Sequence, residues 1–289
     1  MKSLPSLRRR GTRAPFAVIL GTNEIASAVA VSLHRAGACV VLSHDPMPPV
    51  IRRKMAFHDC LYDEPATLGG VPARRADTGL EILSSLRTPQ DVLVTELGVL
   101  DLIILPTIDV LIDARVQKYQ VTPDLRPLAR FTIGLGPGFD AGTNCDSAIE
   151  TRPAKTGRII RHGQTDAADG QSRRLGTVGA ERFVYSSMPG RWHSAIEIGT
   201  RIYKNFPIGH LSGTPIGAPF DGIVRGVVRD GTEVPAGVKL LEVDPRGRQA
   251  SFEGLDRRGC VIAASVMKAI AIHDAELEGQ RRRLLTLVK

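Results

Sequence analysis

The 289-residue sequence is poor in aromatic side chains and in cysteine, and it lacks any long hydrophobic run. Aromatic residues make up 4% of the chain, too few for an obvious base-stacking platform, which argues against nucleic-acid binding. No apolar run reaches the roughly 18 residues that a membrane-spanning helix needs, so none is expected. The four cysteines lie far apart without metal-ligand spacing (Cys39, Cys60, Cys145 and Cys260). We therefore expect free thiols in a reducing, cytoplasmic compartment and no metal site.

Lysine is also scarce: 8 lysines leave 30 arginines among the 38 basic residues, and the net charge is +8. This balance permits an anionic ligand or partner, although the positive charge is scattered along the chain. The arginine-rich residues 8–13 precede an apolar stretch and have the outline of an export signal. Asn23 and Glu24 interrupt the would-be apolar core, so a strand followed by a helix explains the segment better. We predict a basic disordered arm over residues 1–15.

The rest of the chain is organised around a glycine-rich stretch that follows a predicted buried strand at residues 131–133. Four glycines in nine residues turn the backbone sharply and can direct several N–H groups at one ligand (Gly134, Gly136, Gly138 and Gly142). Glu150 closes the stretch, and Arg152 offers a planar two-pronged donor. The pattern predicts a phosphate or carboxylate site. A tight structural turn is the alternative.

The residues from 16 to 45 have the outline of a dinucleotide-binding half: strand, tight turn, helix, strand and acid. Gly21 fits the first glycine of the fingerprint, but Asn23 stands where a second glycine would let a pyrophosphate approach. Asp45 is near the right distance for a ribose hydroxyl, and Asp113 ends a later predicted strand. A Rossmann-like scaffold without nicotinamide is therefore favoured over one that binds it.

Repeated apolar runs of strand length predict a mostly parallel sheet, and hence a Rossmann-like α/β domain over residues 16–160. A polar linker is expected over residues 161–193, and a small all-β unit over 194–250. Residues 251–289 are expected to form a C-terminal helix that packs back on the first domain. The predicted fold class is thus α/β with an added β unit and a terminal helix.

The β unit resembles the flattened barrel-sandwich of biotinyl and lipoyl carrier domains, through Ala218-Pro219 with Asp221-Gly222. Carriers present an acceptor lysine on the preceding hairpin, whose tip here falls near residues 210–212 and holds no lysine. Neither biotin nor lipoate is therefore expected. Arg246, which follows this unit, is a further candidate contact to an anion.

Taken in order, these segments resemble the accessory proteins of the selenium-dependent molybdenum hydroxylase system, which are encoded beside xanthine-dehydrogenase-type enzymes. The resemblance extends over about residues 16–272. The matching stretches are Leu33–Gly37, Ile108–Ala114, Gly134–Phe139 with Ala141-Gly142, Ile149–Thr151, Gly157-Arg158, Ala218-Pro219, Asp221-Gly222, Arg225-Gly226, Arg229–Gly231 and Asp244–Gly247. The chain departs from the family pattern at Asn23-Glu24, at Arg152–Lys155 and at Ala263-Ala264.

The resemblance implies a maturation protein for a molybdenum hydroxylase client, which binds a molybdopterin-type cofactor or a nucleotide as an anionic small ligand. A homo-oligomer is compatible with it, and whether any reaction is catalysed stays open. The alternatives are an NAD(P)-dependent oxidoreductase, which Asn23 disfavours, and a non-covalent interaction module built on the carrier-like barrel. No catalytic residue is assigned.

Overall fold

The computed structural model describes residues 13–287, except residues 63, 119 and 171 and the side chains of residues 284–287. Most of the predicted arm, residues 1–12, lies outside the described residues. Residues 13–15 belong to the fold: Ala14 is fully buried and donates its N–H to Leu86 O at 2.7 Å. Arg13 forms an ion pair with Asp109 at 2.9 Å.

The described residues form four α-helices and nineteen strands. The helices are α1 (Glu24–Arg35), α2 (Gly79–Ser85), α3 (Val99–Leu102) and α4 (Arg257–Leu287). The first eleven strands are β1 (Phe16–Leu20), β2 (Cys39–Ser43), β3 (Ala66–Leu68), β4 (Val71–Arg75), β5 (Val92–Thr95), β6 (Val110–Asp113), β7 (Thr132–Leu135), β8 (Asp140–Ala141), β9 (Ser147–Ile149), β10 (Ile159–Ile160) and β11 (Gly163–Gln164). The others are β12 (Phe183–Tyr185), β13 (Gly190–His193), β14 (Arg201–Ile202), β15 (Pro207–Leu211), β16 (Thr214–Gly217), β17 (Gly222–Val227), β18 (Glu233–Val234) and β19 (Lys239–Asp244).

The large sheet has the order β10-β9-β7-β6-β1-β2-β5-β4-β3. All neighbours from β9 to β4 are parallel, and β10 and β3 add antiparallel edges. Its central strands, taken in chain order, follow the 3-2-1-4-5-6 arrangement of dinucleotide-binding folds. The predicted α/β class with a mostly parallel sheet is therefore confirmed.

Helices cover both faces of this sheet because its strands are apolar on both sides. On one face α1 packs against α4, and α2 and α3 cover part of the other. The crossing of α1 and α4 is close: a Cβ on Gly259 would lie 3.0 Å from the Ala28 Cβ. Small residues at this point therefore set the distance between the two helices.

The strands after residue 182 form two four-stranded antiparallel sheets, β12-β19-β17-β14 and β16-β15-β13-β18, around the fully buried Trp192. The predicted linker over 161–193 is therefore too long, since β12 and β13 lie inside it and belong to these sheets. The reason is that β13, Gly-Arg-Trp-His, alternates around one large apolar side chain and offers no hydrophobic run. The predicted terminal helix is present as α4.

Residues 51–54 join the β unit to the first sheet. Val227 N–H donates to Ile51 O at 2.8 Å, and a Cβ on Gly226 would lie 2.8 Å from the same oxygen. Arg52 makes a two-pronged ion pair with the fully buried Glu242, at 2.6 and 3.1 Å. The basic residues here thus hold two parts of the molecule together.

Candidate functional site

The candidate site lies at the carboxyl edge of the large sheet, between β1 and β6, where the strand order reverses. Such switch points leave a crevice in which ligands of open α/β sheets bind. Gly21 follows β1 with φ +103°, and a Cβ there would lie 3.3 Å from Ala114 O. Gly21 therefore lets the turn after β1 approach the loop after β6 closely.

Asn23 caps the helix that begins at this crevice. Its Oδ1 accepts the N–H groups of Ile25 and Ala26 at 2.9 and 3.0 Å, and its Nδ2 donates to Ala114 O at 2.7 Å. In dinucleotide-binding folds these first helical amides face the pyrophosphate. Here a side chain already uses them, so a pyrophosphate would have to displace Asn23.

The two predicted acids at this edge, Asp45 and Asp113, share one arginine. Arg115 donates to Asp113 at 2.6 Å and to Asp45 at 3.2 Å. The hydrogen bonds to Asp113 raise the pKa of the Arg115 guanidinium. Gln117 adds a bond to Asp45 Oδ2 at 3.1 Å, while Oδ1 accepts Met47 N–H at 2.9 Å. The Asp45 carboxylate predicted to hold a ribose is therefore engaged by protein donors.

Val116 has φ +56°, which is strained for a β-branched residue. Its Cγ1 would lie 3.3 Å from a Cβ on Gly136, the residue that follows β7. The loop after β6 and the glycine-rich stretch therefore meet at this point. Strained residues of this kind cluster at ligand sites, which supports the choice of this edge.

The glycine-rich stretch does not form the expected cradle of several N–H donors. Four of its amides already donate within the protein: Gly136 to Ile149 O, Phe139 to Thr165 Oγ1, Asp140 to Asn144 Oδ1 and Gly142 to Cys145 O, at 2.8–3.3 Å. Its glycines serve packing and turning. A Cβ on Gly134 would lie 2.0 Å from the Phe139 ring, and Gly138 and Gly142 have φ near +90°. The structural alternative accounts for most of this stretch.

Glu150 is buried, and its carboxylate accepts three backbone N–H groups (Thr151, Arg152 and Asp166, at 2.7–2.8 Å). These bonds fix the loop after β9 and join it to Asp166. Arg152 pairs instead with Asp166, at 3.1 Å, and with Asp169. Arg246 pairs with the buried Asp244 at 2.6 Å in the β unit. Both predicted anion contacts therefore already hold carboxylates.

Sequence reasoning missed a polar cluster at the ends of β1 and β2. The buried Thr22 Oγ1 lies 2.9 Å from His58 Nδ1 and 3.4 Å from His44 Nδ1. Burial, with repulsion from His44, lowers the pKa of His58 to about 3, and burial lowers that of His44. Both imidazoles are therefore neutral near pH 7. The sequence feature that could have indicated this cluster is the position of Thr22 and His44, each of which follows a predicted strand.

A second cluster connects this edge to the β unit. Glu24, in the first turn of α1, pairs with Arg52 at 2.8 Å, and Arg182 and Arg225 join Arg52 around Glu242. Lys239 lies 3.6 Å over the Phe183 ring; burial, with repulsion from Arg52 and Lys118, lowers its pKa to about 8. Positive charge is thus concentrated between the sheet edge and the β unit.

Among the described residues, no group of three or more His, Cys, Asp or Glu side chains is placed to hold a metal ion. No helix within these same residues has the length and apolarity needed to cross a membrane.

The comparisons give a relative without an assigned role. No family model matches the chain. It is 30% identical over 264 residues to the uncharacterized protein YqeB of Escherichia coli (strain K12). That alignment covers 88% of this chain and 47% of YqeB, so the chain spans about half the length of this relative.

A solved structure of a succinylglutamate desuccinylase/aspartoacylase from Rhodobacter sphaeroides is 14% identical. The match covers 81% of this chain and 86% of the other, with a TM-score of 0.23. At that score the likeness carries no argument about function.

Proposed function

We propose that this chain is a cytoplasmic accessory protein of a xanthine-dehydrogenase-type molybdenum hydroxylase, in the selenium-dependent system whose proteins it resembles. In this proposal it binds an anionic molybdopterin-type or nucleotide-like cofactor between the carboxyl edge of the large sheet and the β unit. The client enzyme, a carrier-like barrel-sandwich arrangement of the β unit and a homo-oligomeric state are all parts of the proposal.

The observation that carries the proposal is the excess of positive charge at this place. Arg52, Arg182 and Arg225 surround a single buried carboxylate, and the half-buried Lys239 makes no ion pair within the described part of the chain, although Glu242 and Glu24 attract it. Arg225 also pairs with Asp256 at 2.8 Å, and Glu24 with Arg52, so part of the charge is neutralised. Like charges gathered at a crevice favour an anion there.

The alternative of an NAD(P)-dependent oxidoreductase is disfavoured by one observation, the use of the α1 amides by Asn23. A non-covalent interaction module remains the other candidate, because the Ser212-Gly213 turn of the β15–β16 hairpin carries no acceptor lysine.

The test is the identity of what co-purifies with the protein. The chain is purified from cells with an active molybdenum hydroxylase, gently denatured, and the supernatant analysed by mass spectrometry. A pterin or nucleotide at a near-stoichiometric amount supports the proposal. The control is bovine serum albumin that is added to the same lysate, recovered and treated in the same way. A supernatant free of both, together with saturable micromolar NADH binding in a fluorescence titration, would favour the oxidoreductase.

A further inference from the structure

A cavity of about 300 Å³ lies where the loop after β9 meets the first turns of α4. Within the described part of the chain, its lining contains three arginines and no acid (Pro153, Thr156, Arg173, Arg257, Arg258 and Val261). None of these arginines was among the candidates found in the sequence, because residues 153–173 and 257–261 meet only in the folded chain.

The guanidinium group of Arg258 has one donor without an acceptor among the described residues. Its Nη2 donates to Thr151 O at 2.5 Å, but its Nε is buried and has no hydrogen-bond partner among the residues that the structure describes. Burial lowers the pKa of Arg258, opposed by attraction from Glu24. Arginine nevertheless stays charged in proteins, so this half-buried guanidinium is a cation whose buried Nε is left without an acceptor.

Arg173 and Arg257 are also without an ion pair within the described residues, whereas Arg115, Arg152 and Arg246 each hold carboxylates. Arg173 and Arg258 repel each other electrostatically. Glu24 and Asp256 attract Arg258, but neither acid lines the cavity, so the like charges that face it favour an anion there. The charge pattern therefore indicates a ligand.

The cavity wall is held in place by tight packing. A Cβ on Gly157 would lie 2.8 Å from Ser265 Oγ and 3.0 Å from Val261 Cγ1, so the loop is pressed against α4. The Asp256 carboxylate accepts the N–H groups of Arg258 and Gly259 at 3.0 and 3.3 Å. The side chains, and not the amides of the helix end, are therefore the donors available to a ligand.

We propose that this arginine cavity binds a phosphate group, either free or as the end of a phosphomonoester or diphosphate. Guanidinium groups fit phosphate oxygens through paired N–H donors, and the volume suits a phosphate with a small attached group more than a whole cofactor. Thr151 connects the cavity to the sheet edge: its carbonyl accepts from Arg258, and its Oγ1 would lie 3.0 Å from a Cβ on Gly136. The assignment of this cavity as the phosphate subsite of the cofactor rests on the proposed function.

The test is calorimetric titration of the full chain with inorganic phosphate, then with pyrophosphate and a nucleoside monophosphate. Arg257→Ala and Arg173→Ala remove exposed arginines, which avoids disturbing the half-buried Arg258, and Arg257→Lys keeps the charge but loses the two-pronged donor. Arg281→Ala is the matched control, since Arg281 is exposed on the same helix and far along it. Melting temperatures without phosphate show that each variant is folded.

Each of the two alanine variants is expected to weaken phosphate binding by roughly ten- to a hundredfold, because a charge-assisted hydrogen bond is lost. Arg257→Lys should give an intermediate loss, and Arg281→Ala should bind as the wild type does. Tighter binding of pyrophosphate or the nucleotide than of phosphate would assign the site to a larger ligand, and equal binding would assign it to the free ion. Wild-type protein that fails to bind any of the three, or folded alanine variants that bind equally well, would overturn the inference. Because the titration needs no hydroxylase, its result is independent of whether the client is correctly identified.

Discussion

At the scale of single residues, the Asn23 side chain accepts the first amides of α1, which a glycine at this position would leave free for a ligand. The substitution is readable in the sequence, and so is its consequence for a pyrophosphate. The hydrogen bond from Asn23 to Ala114 O could not be predicted from the sequence, because the two residues are 91 positions apart and meet only through the pairing of β1 with β6.

Asn23→Ala is expected to lower the free energy of unfolding by about 1–2 kcal/mol, because it removes a helix N-cap and leaves Ala114 O without this donor. Asn23→Ser keeps the cap and should lose less. Urea denaturation of both variants measures the difference. Two variants that unfold together with the wild type would show that the cap is not needed here.

The buried His58 predicts a dependence of stability on pH. Burial and the nearby His44 lower its folded pKa to about 3, while Arg53 and Arg229 repel its charged form as well. As pH falls below the usual value of about 6.5, the unfolded chain binds the proton first, so folded stability decreases until about pH 3. The slope from this group alone reaches at most about 1.4 kcal/mol per pH unit.

His58→Asn, which keeps a hydrogen-bonding group towards Thr22, is expected to flatten the loss of stability between pH 6.5 and pH 4. Denaturation series at several pH values provide the measurement, and His210→Asn, at an exposed position, is the control. A His58→Asn profile parallel to that of the wild type would exclude His58 as the source.

At the scale of elements, the glycine-rich stretch shows where sequence reasoning stops. Its turn and the preceding strand β7 follow from local pattern. The partners of its amides and of Arg152 do not, because Thr165, Asp166 and Asp169 return to it from a later loop. The same holds for the β unit, where the short β13 carries the buried Trp192 but no periodic signal.

The contact between α1 and α4 predicts a position-specific effect of bulk. Gly259→Leu is expected to destabilise the protein by about 1–3 kcal/mol, because a Cβ there already lies 3.0 Å from Ala28 Cβ and 3.2 Å from Glu24 O. A Cβ on Gly279 of the same helix would meet no atom of the described residues within 4 Å, so Gly279→Leu should be neutral or stabilising through helix propensity. Thermal unfolding of the pair is the measurement. Equal melting temperatures for the two variants would contradict this packing.

At the scale of the whole molecule, a mostly parallel sheet was predictable from repeated apolar runs, and a small β unit after it from turn spacing; the strand order and the division of the β unit into two sheets were not predicted. The ion pair of Arg52 with Glu242, which joins the large sheet to the β unit, was not predictable, because the two residues are 190 positions apart. Burial raises the pKa of Glu242, but the attraction of Arg52 and of the other arginines brings it down to about 2. The stabilisation from this carboxylate is therefore complete above about pH 4.5 and is lost as pH falls towards 2.

Glu242→Gln is expected to lower the free energy of unfolding at pH 7 by about 3–5 kcal/mol, because it leaves three arginines without their common anion. It should also reduce the loss of stability between pH 4.5 and pH 2. Exposed Glu233, paired with Arg191 at the surface, supplies the control Glu233→Gln, which should change little. Denaturant titration at pH 7 and pH 3 separates the two variants, and an equally small effect of both would contradict the buried network.

The central claim, that this chain matures a molybdenum hydroxylase through an anionic cofactor, is tested most directly by the molybdenum content of the client. The hydroxylase is expressed in cells that lack this chain, then together with the wild type, with Arg257→Ala or with the control Arg281→Ala. The account predicts low molybdenum and activity without the chain, restoration by the wild type and by Arg281→Ala, and reduced restoration by Arg257→Ala. Full molybdenum content and activity in cells that lack the chain would contradict it.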